Sequence, residues 1–217
     1  YVDKASEKRI VERLHELLPE AGFIAEEGSG SLEEQEYSWV VDPLDGTSNY
    51  IHDCTPYCVS IALRNHEEIL LGVVYECGRE ELFWAHKNSR AYLNGKEICV
   101  SDQSVLDQSF IMPELPYKAE RYSPFILPLM RDLYGHVSGI RMLGSAAAEL
   151  CYVAAGRFEI FIEAFLGPWD IAAGYIILKQ AGGRMTDFSG NSNGPDAKEV
   201  LASNGKVHEE LLKVLQR

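Results

Sequence analysis

Between Asp3 and Leu18 the apolar residues Ile10, Val11, Leu14, Leu17 and Leu18 recur at helical spacing, and Pro19 with Gly22 closes the segment. This pattern predicts an amphipathic helix. The acidic stretch from Glu26 to Glu36, which contains Gly and Ser, reads as a loop. Trp39-Val40-Val41 follows as a short apolar run ended by Asp42-Pro43. Such a run predicts a buried strand that stops at a turn and leaves Asp42 at its end. Strand-like runs at Tyr57 to Arg64, Leu70 to Glu76 and Glu81 to Ala85 are separated by turn residues, Asn65-His66 and Gly78, and Asn94-Gly95 marks a further hairpin. Together they predict a meandering, largely antiparallel sheet.

Beyond Ser101 the texture changes. Pro113, Pro116, Pro124 and Pro128 lead to a helical segment near Ile126 to Tyr134. Gly144-Ser145 precedes an Ala-rich helix from Ala146 to Ala155, with Ser145 as N-cap and Gly156 at its end. A strand from Phe158 to Glu163, a helix from Asp170 to Ala181 stopped by Gly182-Gly183, short strands and a terminal helix from about Val207 complete the chain. Strands alternating with helices predict an α/β second half. The expected division is therefore residues 1–108 and 109–217.

With 46% hydrophobic and 24% charged residues among 217, the chain can bury a real core, which excludes disorder. No run of about 18 uncharged apolar residues occurs and no signal-peptide pattern opens the chain, so a soluble protein is expected. The sequence begins at Tyr1, and a preceding segment is expected. Twenty Lys and Arg face 33 Asp and Glu, a formal net charge of −13. That field repels phosphate backbones and anionic lipid headgroups, so neither nucleic acid nor membrane is expected as a partner. A small phosphorylated substrate is compatible only if some carboxylates hold divalent cations that reverse the local sign. Five cysteines without a C-x-x-C pair indicate neither a disulfide framework nor a zinc ribbon, and reduced, mostly buried thiols in a cytoplasmic protein are expected.

Three strings could carry chemistry. In Trp39-Val-Val-Asp-Pro-Leu-Asp-Gly-Thr-Ser-Asn-Tyr50 the carboxylates of Asp42 and Asp45 flank a proline, and Gly46-Thr47 follows where a helix start could receive an anion. Cations and phosphate could thus sit side by side, although most strings of this kind are ordinary turns and caps. Glu26-Glu27 lies just after the apolar Phe23-Ile24, either as a strand-end ligand or as part of a solvated loop. Asp170, in Pro168-Trp-Asp-Ile-Ala-Ala-Gly174, opens an unusually apolar helix, where it could equally be a cap.

In combination these strings resemble the inositol monophosphatase family, within the magnesium-dependent, lithium-sensitive phosphatases of sugar and inositol phosphates. The pattern W-V-x-D-P-L-D-G-T-x-N-[FY]-x-H is met from Trp39 to His52, and W-D-x-A-A-G from Trp169 to Gly174. Further similarity at Val2 to Glu7, Phe23 to Glu27, Leu143 to Ala147, Tyr152 to Arg157 and Gln180 to Gly183 spans nearly the whole chain.

The resemblance implies an α+β fold, a layered αβαβα sandwich like that of inositol monophosphatase and fructose-1,6-bisphosphatase. It also implies a homodimer and two or three Mg²⁺ ions, with Mn²⁺ as a substitute. Glu26, Asp42 and the Leu44 carbonyl would hold the first ion; Asp42, Asp45 and Asp170 the second; Asp3 would lie beside a weaker third. Glu26 and the Thr47 hydroxyl would activate the attacking water, and Gly46 and Thr47 would receive the phosphate oxygens. Asp45, the Ala147 backbone and Glu163 would bind the alcohol half of a phosphorylated polyol or sugar. His52 is expected to be a structural hydrogen-bonding group, not an acid.

The ligand chemistry agrees independently. Like charges about 4 Å apart at a dielectric near 20 repel by about 4 kcal/mol, so converging carboxylates need cations, and oxygen-only ligation favours a hard ion. A fructose-1,6-bisphosphatase, a 3′-phosphoadenosine 5′-phosphate phosphatase and a catalytically idle metal-binding or regulatory protein are the competing readings. The chain departs from the family pattern at Thr55-Pro56, displaced by one residue, and near Tyr117 to Glu120 and Asn191 to Ala197; the expected segment before Tyr1 would carry a first helix and a loop over the metals.

Overall fold

A computed structural model describes residues 1–30, 35–115, 119–192 and 194–216. Residues 31–34 of the expected acidic loop, Pro116, Tyr117 and Lys118, Asn193 and Arg217 lie outside the described residues.

The first helix, α1 (Val2–Leu17), forms where the apolar spacing predicts it. After it come β1 (Gly22–Ala25), β2 (Tyr37–Asp45), the short α2 (Thr47–Ile51), β3 (Cys58–Asn65), β4 (Ile69–Glu76), β5 (Glu81–His86), β6 (Ala91–Leu93) and β7 (Lys96–Ile98). The seven strands lie side by side in chain order. Every neighbouring pair is antiparallel except β1 with β2, which is parallel. One expectation is corrected here. The strand does not stop at Asp42: β2 continues through Pro43 to Asp45, with a break in its register against β3 between Asp42 and Asp45. An irregularity of this kind re-aims side chains without ending the strand, and proline is tolerated there.

The second sheet has the order β11-β12-β10-β8-β9, built from β8 (Phe110–Pro113), β9 (Gly139–Ile140), β10 (Ile160–Ala164), β11 (Arg184–Thr186) and β12 (Glu199–Ser203). It is mixed: β8 runs parallel to β9 and β10, whereas β12 is antiparallel to β10 and β11. The Pro-rich reading passed over β8 and β9. It also placed the helix too late, since α3 spans Ala119–Leu133 with Pro124 and Pro128 inside. Tyr122, Ile126, Leu129 and Leu133 form one buried stripe of α3, and the burial of that stripe offsets the cost of the prolines. The remaining helices are α4 (Ala146–Ala154), α5 (Pro168–Gln180) and α6 (His208–Leu215).

Strand alternation sorts the core into layers. Trp39 and Val41 of β2 pack with Leu14 of α1, while Val40 joins the central cluster with α4 and α5. On β10, Phe161 faces the same central layer and Ile160 and Ile162 face α3 and α6. The order is therefore α1, seven-stranded sheet, α4 and α5, five-stranded sheet, α3 and α6: an αβαβα sandwich. Gly72 lets β4 approach α5, because a Cβ there would stand 2.6 Å from Ile176 and 2.7 Å from the Ala173 carbonyl oxygen. The thiols are all free, but only Cys58 and Cys151 are buried, against the expectation that most would be.

Candidate active site

The break in β2 turns Asp42 and Asp45 toward the ends of α4 and α5. Asp42 Oδ1 accepts the Leu44 N–H at 2.9 Å, which fixes the carboxylate over its own turn. Asp170, three residues from Gly167, accepts the Gly167 N–H at 2.7 Å, so the capping role is real. It is not the whole role. One oxygen from each of Asp42, Asp45 and Asp170 lies within 4.8 Å of the others.

These carboxyls share a cleft of about 580 Å³ with Glu26, Leu44, Gly46, Thr47, Ser48, Glu114, Ala146 and Glu163, among others. Burial pushes Asp42 up to about 10, aided by Asp45, Glu26 and Asp170. Asp170 is pushed up to about 7 by burial and then by Asp45. Burial also raises Glu26 and Asp45, the latter against the pull of its donors. Carboxyls this close and this dry reject a common negative charge unless a cation neutralises them. The donor set is oxygen only, which fits a hard divalent cation.

Asp45 is the best-anchored member. Its Oδ2 accepts from the Ser145 hydroxyl at 2.7 Å and the Ala147 N–H at 2.8 Å, with the Cys58 thiol at 3.6 Å. The expected cap is thereby corrected: Ser145 occupies the N-cap position of α4, but its side chain makes no capping bond and serves Asp45 instead. Ala147 is fully buried and spends its N–H on Asp45, and its neighbour Ala146 lines the cleft.

At the start of α2, Gly46 has φ 83°, and a Cβ there would stand 2.9 Å from the Pro56 carbonyl oxygen. Only glycine fits that position without strain. Thr47 donates its hydroxyl to the Leu44 carbonyl at 2.9 Å. Asn49 ties α2 to the loop before α4, donating to the carbonyls of Pro56 at 2.7 Å and Leu143 at 2.6 Å. His52 is exposed and lies outside the cleft lining. Asp3 is half-buried on α1, also outside the lining, and adds to the charge that raises Glu26.

Sequence reasoning missed two acids. Glu114 follows β8 and lines the cleft; Glu149 is fully buried in the first turn of α4. The signal for Glu149 was present in Ala146-Ala-Ala-Glu-Leu-Cys151, an acid in the midst of an apolar helix.

The inositol monophosphatase family matches residues 1–217. A fructose-1,6-bisphosphatase/inositol-1-monophosphatase of Thermotoga maritima is 36% identical over 214 residues, covering 99% of this chain and 80% of the relative. The Nus factor SuhB of Escherichia coli is 38% identical over 213 residues, covering 97% and 79%. The crystal structure of extragenic suppressor protein suhB from Bartonella henselae superposes with a TM-score of 0.94 at 36% identity, covering 99% of this chain and 83% of that one.

Proposed function

The chain belongs to the inositol monophosphatase family, and from that membership we propose that it is a Mg²⁺-dependent phosphomonoesterase releasing inorganic phosphate from an inositol monophosphate or similar sugar-alcohol phosphate. The observation that carries this reading is the meeting of Asp42, Asp45 and Asp170 within 4.8 Å, beside the start of α2. Glu26, Asp42 and the Leu44 carbonyl would hold one ion, Asp42, Asp45 and Asp170 a second, and Asp3 would stand near a third. When bound, two such ions lower the pKa of water and stabilise the attacking and leaving oxygens of an in-line displacement.

The chain's own groups do the rest. Thr47 donates its hydroxyl hydrogen bond to the Leu44 carbonyl, so its oxygen is left as an acceptor that orients the attacking water together with Glu26. The first turn of α2 presents Gly46 and Thr47 to the phosphate. Glu163 accepts hydroxyls of the alcohol half, with Asp45 and the backbone at Ala146 and Ala147 nearby. A homodimer, a cytoplasmic setting and lithium sensitivity belong to the same proposal.

The test is Mg²⁺-dependent phosphate release across myo-inositol 1-phosphate, glycerol 2-phosphate, fructose 1,6-bisphosphate and 3′-phosphoadenosine 5′-phosphate. Preference for the first two is expected. Preference for the bisphosphate or the nucleotide would transfer the assignment to those enzymes, and no release from any would favour a regulatory protein, a reading that the name of the Escherichia coli relative keeps in play.

A further inference from the structure

Glu114 and Glu163 stand at the carboxyl ends of adjacent parallel strands. The last registered pair of β8 and β10 is Pro113 with Ile162, and Glu114 donates its N–H to the Ile162 carbonyl at 2.8 Å, so the two acids occupy the next position on each strand. Adjacent strands are about 4.8 Å apart, which lets two carboxyl groups reach separate hydroxyls of one ring; burial, and then the neighbouring Glu114, pushes Glu163 well up. Both line the cleft that holds Asp42, Asp45 and Asp170.

Glu114 is itself held. Its Oε1 accepts the Leu143 N–H at 2.7 Å, and its carboxyl meets that of Glu149. Glu149 has no exposed surface; Oε2 accepts the Ser145 N–H at 3.3 Å, while no donor faces Oε1. Two ionised carboxylates in such contact are intolerable, so one proton is shared between them. Glu149, the deeper of the two, keeps the proton and donates it to Glu114. Glu114 thereby presents an accepting oxygen at the cleft wall.

We propose that Glu114, positioned by Glu149 and the Leu143 N–H, is a second acceptor beside Glu163 for the alcohol half of the substrate, and that the pair selects phosphate esters of polyols carrying at least two further hydroxyls. This rests on the phosphomonoesterase reading and adds the residue that narrows its substrate class.

The experiment compares kcat/KM for myo-inositol 1-phosphate with that for phenyl phosphate, whose alcohol has no donors to offer. In Glu114→Gln the ratio should fall about tenfold or more, through KM for the polyol ester. Glu149→Leu should lower it likewise, whereas Glu149→Gln, whose amide can still donate to Glu114, should restore it. An unchanged ratio in Glu114→Gln, or equal losses on both esters, would overturn the proposal, the latter marking a purely structural role. If the parent hydrolyses neither ester, the phosphomonoesterase reading fails and calorimetric binding of myo-inositol 1-phosphate in Mg²⁺ decides this inference separately: about tenfold weaker binding by Glu114→Gln upholds it, and equal or absent binding in both proteins rejects it.

Discussion

Asp42 lies at the centre of the acid cluster and is nearly without exposed surface, at 1%. Asp42→Asn should lower Mg²⁺-dependent phosphate release by several orders of magnitude while circular dichroism reports a folded protein. Far from the cleft, His208 is buried between Thr186 at 3.0 Å and Ser203 at 2.8 Å, and burial lowers its pKa to about 4 from the ordinary 6.5. A depressed histidine is neutral in the native state. Its contribution, about 3 kcal/mol, is present above pH 6.5 and is lost as the pH falls toward 4. Proton NMR of the imidazole should show no titration between pH 8 and 5. Individual residues were legible where one local string declares them: Glu26, Asp42, Leu44, Asp45, Gly46, Thr47 and Asp170 all reached the cleft lining. The role of Ser145 was not legible, because it lies in a contact made across 100 residues to Asp45, and Glu149, visible as an acid in an apolar helix, finds its partner Glu114 only in the fold.

Elements were legible where period and punctuation agree. The meander from β3 to β7 formed close to its expected bounds, because alternating burial and the turn residues point the same way. The stretch from β8 to α3 was not, because proline is read as a breaker and only the packing of a buried stripe overrides it. The parallel pairing of β8 with β9 and β10 joins residues distant in sequence and leaves no local trace. Packing between elements yields its own prediction at Gly72. Gly72→Ala would force β4 off α5 at backbone atoms that cannot yield, and should cost about 1–3 kcal/mol in urea unfolding with the slope unchanged.

Over the whole molecule, a cation held by the acid cluster would couple its binding to folding. Without a cation, Asp170 binds its proton more tightly when folded, at about 7 against the ordinary 3.8. In chelator its contribution is therefore full below about pH 4 and is lost as the pH rises through about 7. Millimolar Mg²⁺ should raise Tm at pH 7 and flatten that dependence, and scanning calorimetry at several pH values measures both. The site also spans the two sheets: Asp45 comes from the first, while Ser145 and Ala147, which hold it, open the helix layer that separates the first from the second. Completion of the cleft consequently has to wait for the two sheets to close on their shared helices. During dilution from denaturant, phosphatase activity should return later than the far-ultraviolet helical signal, and its lag would time the docking of one half of the chain on the other.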